Sequence, residues 1–374
     1  MMTKIAQIAN FYGPRSGGLK TSMIELAKQY NLRDIECLQV IPGIEFSRSR
    51  TSYAEVVTIP SWKIPLSGGY RIILRTGKIK EVLSEFSPNV VEINDRLTLL
   101  GIATWANQRG IKSVLFAHEI LTNVLKAFFP FIPNIDLIVK KHNDKTFRKF
   151  DHVIATTNFA AQEFRNVGAN NLSVIALGVD SDIFNENRFS LDLRTHTSFP
   201  KLVLCSRLSK EKNPEVAFEV VKELIAHGLN PQLYVIGAGP LKNKLMNKYK
   251  NLPIEFVGYL KNRQEVATYL ASVDAVLAPG PNETFCLAAL EALACGTPVI
   301  ASDKSALKEI LVNGGGAYVD DQIENWVEAI CAITTRTNIR QLALENSQNY
   351  SWKKTATALL SLYQVIQLEK ELVA

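Results

Sequence analysis

The sequence predicts an α/β protein made of two doubly wound, Rossmann-like domains. Its 374 residues exceed the usual size of a single domain, and 47% of them are hydrophobic, enough for a core in each half. Apolar runs of strand length alternate with helical patterns along most of the chain, and this alternation is interrupted at residues 181–200. Near-continuous Val, Ile and Leu strands that alternate with helices are typical of parallel sheets covered on both faces.

The first domain is expected at residues 1–180. A strand, KIAQIANF, leads through the turn GPRSGG into a helix in which Leu19, Met23 and Leu26 recur at helical spacing. Strand patterns follow at NVVEIN, SVLFAHE, HVIATT and LSVIALG, with helical patterns at TLLGIATWANQRG and NFAAQEFRNVG. This order predicts one complete Rossmann-like domain.

The second domain is expected at residues 201–352, after a linker at 181–200 that is rich in polar residues and ends in proline. Its strand patterns are KLVLCSRL, QLYVIGAG, IEFVGYL, DAVLAPG, PVIAS and AYVD. The last segment, 353–374, has a helical pattern and is long enough to pack back on the first domain. Two such domains that face each other leave a central cleft at the carboxyl ends of their strands, where such sheets bind ligands.

Composition narrows the classes of function. The first residues lack the apolar core and cleavage site of a signal peptide, and no apolar run approaches the roughly 18 to 20 residues of a spanning helix, so a cytoplasmic protein is expected. The five cysteines are scattered without ligand spacing, so neither disulfides nor a bound metal are expected. A net charge of +6 suits anionic substrates or lipid headgroups, and no nucleic-acid-binding motif accompanies it.

Two glycine-rich segments are similar to nucleotide-binding motifs without matching them. Gly237 and Gly239 have the first spacing of the dinucleotide fingerprint, but Lys242 occupies the third glycine position, so a tight strand-to-helix turn is favoured over a nicotinamide or flavin site. GPRSGGLKT is not a P-loop, although Gly17 and Gly18 lack a Cβ and would let an anion approach the amides of the next helix. No resident cofactor is therefore expected.

An apolar stretch at residues 281–299, PNETFCLAALEALACGTPV, carries two glutamates, Glu283 and Glu291. Because burial of an unpaired charge is costly, two carboxylates in such a stretch indicate a function. In a continuous helix their backbones would stand about 12 Å apart along the axis. A charge-assisted hydrogen bond from a carboxylate to a hydroxyl group of a ligand is worth about 1.5–3 kcal/mol.

The second half, from SRLSKEKNPE through VGYLKNRQEVATYLASVDAVLAPGPNETFCLAALEALACGTPVIAS, resembles the donor-binding domain of glycosyltransferase family 4, retaining enzymes of the GT-B fold. In the first half, FYGPRSGGLKT, AHE and ALGVDSDIF resemble that family's glycine loop, strand-end histidine and domain-crossing segment, in the same order. The resemblance covers essentially the whole chain. In detail it is closest to bacterial GDP-mannose-dependent α-mannosyltransferases that act on glycolipids or phosphatidyl-inositol mannosides.

The resemblance implies a hexosyltransferase that moves a hexose, with mannose from GDP-mannose as the best guess, to a glycolipid or glycan hydroxyl. No protein nucleophile is implied, because the leaving phosphate itself accepts the proton of the acceptor. The implied catalytic residues are Glu283 at the sugar hydroxyls, His118 beside the reacting sugar, and Arg207 and Lys212 at the diphosphate. The other implied donor-binding residues are Glu291 at the ribose, Tyr259 and Leu260 near the base, and Gly17, Gly18, Thr284, Phe285, Cys286 and Leu287. Cys286 stands where many members have glycine.

The acceptor and the membrane are expected on the first domain. Asp95 and Arg96 follow the strand VVEIN and are expected to contact the acceptor. Residues 120–150 combine Phe and Ile clusters with six Lys and Arg against two Asp. This composition is typical of a peripheral protein that meets anionic lipid, and equally of a core helix with a solvated basic edge. Peripheral binding at the inner face of the cytoplasmic membrane is thus a hypothesis.

Two other functions are compatible with the same architecture. A sugar-nucleotide 2-epimerase would change the nucleotide sugar with no acceptor present, but the order of the motifs does not match that family. A non-catalytic relic that binds carbohydrate or membrane would show no turnover, and the intact set Arg207, Lys212, Glu283 and Glu291 argues against it.

Overall fold

The computed structural model describes residues 2–13, 17–64, 69–129, 131–194, 198–312 and 314–371. Two units make up the chain: Met1–Leu177 together with Trp352–Ala374, and Gly178–Ser351. Each unit contains its own largely parallel sheet with helices.

The first unit is a doubly wound sheet with helices. Its strands are β1 (Lys4–Ile8), β2 (Glu36–Gly43), β3 (Ser47–Arg50), β4 (Glu55–Pro60), β5 (Trp62–Lys63), β6 (Arg71–Ile72), β7 (Val90–Ile93), β8 (Lys112–Ala117), β9 (His152–Ala155) and β10 (Leu172–Val174). Its helices up to residue 177 are α1 (Gly18–Asn31), α2 (Gly77–Phe86), α3 (Leu100–Asn107), α4 (Leu121–Phe128), α5 (Ile135–Phe147) and α6 (Asn158–Arg165).

The main sheet of this unit has the order β10-β9-β8-β7-β1-β2-β4-β3, and β3 is its antiparallel edge strand; β5 and β6 form a separate hairpin. The chain winds outward from β1 in one direction and then from β7 in the other. All four residues of β7 are buried, as expected for a strand covered on both faces. The switch point between β1 and β7 is where such a sheet binds ligands.

The second unit repeats the same architecture. Its strands are β11 (Lys201–Cys205), β12 (Gln232–Ile236), β13 (Ile254–Gly258), β14 (Ala275–Ala278), β15 (Val299–Ser302) and β16 (Gly316–Val319). Its helices are α7 (Leu191–Arg194), α8 (Glu215–Ala226), α9 (Lys242–Lys248), α10 (Arg263–Ser272), α11 (Leu287–Ala294), α12 (Ile323–Thr334) and α13 (Ile339–Ser347). The all-parallel order β13-β12-β11-β14-β15-β16 corresponds to the Rossmann order 3-2-1-4-5-6, with its switch point between β11 and β14.

The segment predicted as a linker, 181–200, is part of the second unit where it is described. It contains a 3-10 turn (Glu186–Arg188) and α7, and the backbone N–H of Ser190 donates to Ser272 Oγ over 2.8 Å. Phe184 is only 1% exposed. The described part of this segment therefore packs on the second unit, and its polar residues lie on the side that faces solvent.

The last helix, α14 (Trp352–Glu371), belongs to the first unit and packs on α1. Tyr363 donates a hydrogen bond of 2.8 Å to Glu92 on β7, and Glu92 also accepts from Tyr30 and Gln7. Burial raises the pKa of the Glu92 carboxyl against the effect of these three bonds. The helix is thus fixed by a buried polar network at the centre of the sheet. Within the described ranges, no helix is long and apolar enough to cross a membrane.

Candidate active site

Two loops at the switch point of the second sheet bring a cation and a carboxylate together. Lys212 ends a 3-10 turn after β11, and Glu283 lies in the loop after the neighbouring strand β14. Lys212 Nζ donates to Glu283 Oε1 over 2.7 Å, and the side chains are 31% and 12% exposed. Burial acts to lower the pKa of Lys212, but Glu283, with smaller contributions from Cys286 and Glu211, raises it overall. Lys212 is therefore a cation at neutral pH.

Arg207 lies in the same loop, shortly after the end of β11. This loop packs on the one after β12 so closely that a Cβ on Gly237 would meet Ser206 O at 2.0 Å, and a Cβ on Gly239 would meet Leu208 O at 2.2 Å. The two glycines of the incomplete dinucleotide fingerprint therefore allow the close packing of the backbone on both sides of Arg207.

The backbone around Glu283 is held by two neighbours. Its carbonyl oxygen accepts from the N–H of Ala306 over 2.9 Å. A Cβ on Gly280 would lie 3.2 Å from Glu283 Oε1 and 3.5 Å from Lys212 Cα, so this glycine leaves room for the ion pair. The sequence signal for Gly280 is the Pro-Gly-Pro turn that follows β14.

Residues 283–291 do not form one helix, because α11 begins at Leu287. Glu283 stands in the loop before it, so the spacing derived for a continuous helix does not apply. Cys286 is the N-cap residue and has left-handed backbone angles, φ 64° and ψ 76°. A residue with a Cβ is disfavoured there by about 1–2 kcal/mol, which is the physical reason why glycine suits this position.

The other residues expected at the start of α11 surround this cap. Thr284 and Phe285 precede it; Phe285 is 3% exposed, and its ring centroid lies 5.9 Å from that of Tyr350. Leu287 opens the helix and is also buried. The apolar residues thus hold the amino-terminal end of α11 in place. The expected contacts of Thr284, Phe285, Cys286 and Leu287 with the donor stay predictions.

Two thiols lie beside the ion pair. Cys205 and Cys286 line, with Lys212 and Glu283, a cavity of about 10 Å³, room for about one water molecule. Burial raises the pKa of both thiols, to about 12 for Cys205. Neither is therefore a thiolate, the form that acts as a nucleophile, at neutral pH.

Glu291 pairs with an arginine that no sequence motif marks. Arg263, the first residue of α10, donates from Nη2 to Glu291 Oε1 over 2.8 Å. The two side chains are 29% and 13% exposed. The guanidinium of Arg263 also lies 5.0 Å from the ring centroid of Phe184. Both glutamates of the motif are thus paired with a cation, each from a different element.

Tyr259 and Leu260 follow β13, the edge strand of the second sheet. The side chain of Tyr259 is 41% exposed. One strand, β12, separates β13 from β11 and its loop. A contact of these residues with the nucleotide base stays a prediction.

In the first unit, the glycine loop follows β1 at the switch point. Residues 14–16 of this loop lie outside the described residues. Gly17 is the N-cap of α1 and Gly18 its first residue. Among the described residues, no atom lies within 4 Å of the position that a Cβ on Gly17 would take. The predicted approach of an anion to this backbone stays a prediction.

His118 follows β8 and is held in a neutral state. Burial lowers its pKa to about 4. Its Nε2 lies 2.6 Å from Asn94 Oδ1, while Asn94 Nδ2 donates to Ile8 O over 3.3 Å. The bond from Nδ2 to Ile8 O assigns the orientation of the Asn94 amide; because its Oδ1 can only accept, Nε2 of His118 is assigned as the donor. Asn94, which follows the strand VVEI, is a positioning contact that sequence reasoning missed.

Asp95 is expected from the sequence to contact the acceptor, whereas in the structure its side chain is buried among residues of the first unit. It is 4% exposed. Its carboxylate accepts from the backbone N–H of Leu97 over 2.7 Å and from Asn10 Nδ2 over 3.1 Å. Asp95 therefore stabilises the turn after β7.

Arg96, 1% exposed, is also turned inward. Its Nη2 donates to Glu163 Oε2 over 2.8 Å and to the carbonyl of Glu119 over 2.7 Å. Glu163 in turn accepts from the backbone N–H groups of Leu121 and Thr122, at the start of α4. Arg96 therefore has a structural role between β7 and α4, and its expected contact with the acceptor stays a prediction.

The described part of residues 120–150 forms α4 and α5. Ile135 and Val139 are buried on one side of α5. The other side, together with the preceding loop, exposes Phe131 (79%), Leu137 (52%) and Ile138 (50%). Lys140, Lys141 and Lys145 border the same area. We call Phe131, Leu137, Ile138, Lys140 and Lys141 the α5 surface.

Comparison with known proteins decides the family. The chain is 36% identical over 365 residues to a GDP-mannose-dependent alpha-(1-6)-phosphatidylinositol dimannoside mannosyltransferase of Mycobacterium tuberculosis, covering 96% of this chain and 95% of that protein. The family model "Glycosyltransferase Family 4" matches residues 16–183, and "Glycosyl transferases group 1" matches 186–350. This chain belongs to glycosyltransferase family 4.

Other relatives agree. A GDP-mannose-dependent alpha-mannosyltransferase of Corynebacterium glutamicum is 24% identical over 387 residues, covering 99% of this chain and 91% of that protein. The structure of sucrose-phosphate synthase from Thermosynechococcus elongatus has a TM-score of 0.79 and 18% identity, and it covers 97% of this chain and 99% of that chain. The fold is GT-B, and the protein is a nucleotide-sugar-dependent hexosyltransferase.

In this family member, the structure brings part of the expected donor site together. Lys212 and Glu283 are in contact, and Arg207 lies in the Lys212 loop. Glu291 lies on α11, in contact with Arg263. A lysine beside a carboxylate can bind an anion and a sugar hydroxyl at one point, which is what a sugar diphosphate requires.

Proposed function

We propose that this enzyme is a retaining α-mannosyltransferase that transfers mannose from GDP-mannose to a hydroxyl of a glycolipid. The observation that supports this best is the contact between Lys212 and Glu283 at the switch point, in a chain that is 36% identical to a GDP-mannose-dependent phosphatidylinositol dimannoside mannosyltransferase. The proposed donor and acceptor rest on that similarity. The proposed roles in the reaction rest on the side chains at the site.

In the proposed reaction, the acceptor oxygen attacks the anomeric carbon while the bond from that carbon to the phosphate oxygen breaks. The leaving phosphate accepts the proton of the acceptor on the same face, so the configuration is retained. Lys212 and Arg207 stabilise the negative charge of the departing diphosphate. Glu283 accepts hydrogen bonds from hydroxyls of the moving sugar, and Glu291 from the ribose.

His118 fits a place beside the reacting sugar because it is neutral. Its pKa of about 4 leaves the imidazole uncharged at neutral pH. An imidazolium would oppose the positive charge that develops at the anomeric carbon, whereas a neutral ring does not. Gly17, Gly18, Tyr259 and Leu260 are proposed to contribute to donor binding.

We expect no metal requirement. Lys212, with Arg207, supplies positive charge to the diphosphate, a task that a divalent cation performs in many phosphoryl-binding enzymes. Transfer should therefore proceed at the same rate in EDTA as in Mg²⁺. Loss of transfer in EDTA, restored by Mg²⁺ or Mn²⁺, would contradict this expectation.

A membrane-facing role is proposed for the α5 surface, since apolar side chains beside lysines suit an anionic lipid layer. The test is co-sedimentation at low salt with phosphatidylcholine vesicles that contain or lack phosphatidylglycerol. Replacement of Lys140 and Lys141 by Glu should abolish binding to the anionic vesicles. Lys222→Glu, a matched change at an exposed lysine of the second unit, should not. Absence of wild-type sedimentation with anionic vesicles would refute the proposal.

The decisive experiment offers GDP-mannose, UDP-glucose and other nucleotide sugars to the protein with a membrane lipid extract. Among the nucleotide sugars, we expect only GDP-mannose to react, and only when lipid is present. The products should be GDP and a mannosylated lipid. Conversion of the nucleotide sugar without lipid would indicate the epimerase. Nucleotide binding without turnover on any acceptor would indicate the non-catalytic relic.

Single variants separate the proposed roles. Glu291→Ala should mainly raise the KM for the donor, and Glu283→Ala should lower kcat, by about 10²-fold if it acts on the transition state. Arg207→Ala should impair both. Glu265→Ala removes an exposed carboxylate of α10 and serves as the matched control. Unchanged kcat and KM in the Glu283 variant would remove that residue from the site.

A further inference from the structure

The ion pair between Arg263 and Glu291 joins two helices that are separate in sequence. Glu291 lies within α11, and its side chain is 13% exposed, between buried neighbours Leu290 and Ala292. A carboxylate in such surroundings is costly unless a cation compensates its charge. Arg263 Nη2, at 2.8 Å from Glu291 Oε1, provides that cation.

The arginine is itself fixed from other directions. It opens α10, whose N-cap residue Asn262 accepts from the N–H of Gln264 over 2.9 Å. Its guanidinium lies 5.0 Å from the ring centroid of the buried Phe184, in the segment that precedes β11. Such cation–π contacts hold a guanidinium in one orientation. The position of the Glu291 carboxylate therefore depends on three separate parts of the second unit.

We propose that Arg263 is a positioning residue for recognition of the nucleotide ribose. By donating to Oε1 of Glu291, it keeps the carboxylate oriented for the hydroxyls of the ribose. This inference rests on the proposed role of Glu291 and adds a residue that the role requires. Arg263 itself need not touch the nucleotide.

The inference predicts a loss of ribose discrimination when Arg263 is changed. Binding of GDP and of 2′-deoxy-GDP to the full chain is measured by calorimetry. A charge-assisted bond to the 2′-hydroxyl gives the wild type a preference for GDP of about tenfold or more. In Arg263→Ala we expect GDP to bind about tenfold more weakly, with 2′-deoxy-GDP much less affected, so that the preference nearly disappears.

Further variants distinguish positioning from general stability. Arg263→Lys keeps the charge and should restore part of the preference. Glu291→Gln should lose the preference, and adding Arg263→Ala to it should change the preference no further, because both act through one carboxylate. Arg336→Ala, an exposed arginine of the same unit, should leave both affinities unchanged. In turnover, Arg263→Ala should raise the donor KM while kcat changes less than about twofold.

The outcomes separate this inference from the proposed function. If Arg263→Ala weakens both nucleotides equally while Glu291→Gln loses the preference, the ribose role of Glu291 stands and the role of Arg263 is refuted. If the wild type binds GDP and 2′-deoxy-GDP equally, the ribose role itself fails, and this inference fails with it. If the wild type binds no GDP, the same measurements with UDP and 2′-deoxy-UDP decide the matter. A circular dichroism spectrum of each variant verifies folding, and Arg263→Gln replaces the alanine variant if that one is unfolded.

Discussion

The variant Cys286→Gly should be more stable than Cys286→Ala, although glycine is usually less favourable than alanine in a folded protein. Cys286 has φ 64° and ψ 76°, where a Cβ costs about 1–2 kcal/mol. Glycine avoids this cost but loses about 0.5–1 kcal/mol more backbone entropy on folding. Cys286→Gly should therefore exceed Cys286→Ala in free energy of unfolding by about 0.5–1 kcal/mol. Both variants lose the thiol, so they differ only by the Cβ methyl group and its effect on the backbone.

Urea denaturation followed by circular dichroism measures this difference, and a thermal scan should show about 2 °C between the two variants. Cys205 gives the matched control, because it lines the same cavity but lies in the extended strand β11. There, Cys205→Ala should be more stable than Cys205→Gly by about 0.5–1 kcal/mol. Alanine more stable than glycine at both positions would refute the reasoning. Transfer activity should survive in Cys286→Gly.

Three further predictions concern the first unit. The pKa of His118 is about 4 in the folded chain and about 6.5 in the unfolded chain, so the unfolded chain takes up the proton first as the pH falls. The contribution of neutral His118 to the free energy of unfolding is complete above pH 6.5. It is lost as the pH falls toward 4, by up to about 3 kcal/mol. Urea denaturation at several pH values should show a shallower decline for His118→Gln, and an identical decline would contradict the shift. Tyr363→Phe removes a hydrogen bond to Glu92 and should cost about 1.5–3 kcal/mol and speed amide exchange in α14; unchanged exchange would show that the bond does not hold the helix. Arg96→Leu leaves Glu163 without its cation and should lower the free energy of unfolding in urea by about 3–5 kcal/mol. A stable variant with only a raised KM for the acceptor would instead support an acceptor contact of Arg96.

The fold could be predicted because its signal is local and periodic. The alternation of apolar strands with helical patterns predicted both Rossmann-like sheets, and the family resemblance predicted GT-B. The helical pattern TLLGIATWANQRG contains the observed α3, Leu100–Asn107. The resemblance assigned Lys212 and Glu283 to one donor site, and in the structure these residues follow neighbouring parallel strands and are in contact.

The parts that escaped prediction depend on contacts between distant residues. Nothing in the sequence near Arg263 indicates a partner on the next helix, 28 positions later. Arg96 follows a strand end just as Lys212 does, yet a buried carboxylate, Glu163, turns it inward. A helix unbroken from 283 to 291 does not form, because the backbone at Cys286 is left-handed, a conformation that a cysteine in the sequence does not indicate. Periodicity locates an element, but only packing determines the direction of its side chains.

The placement of α14 affects the order in which the chain can fold during synthesis. The second unit is continuous in sequence, Gly178–Ser351, and is complete once it leaves the ribosome. The first unit, although made earlier, lacks Tyr363 and so part of the network around Glu92 until α14 emerges. Domains usually fold in the order of synthesis, and here that order is partly reversed. A chain that ends just before residue 352 would therefore contain every residue of the second unit, but its first unit would lack the bond from Tyr363 to Glu92.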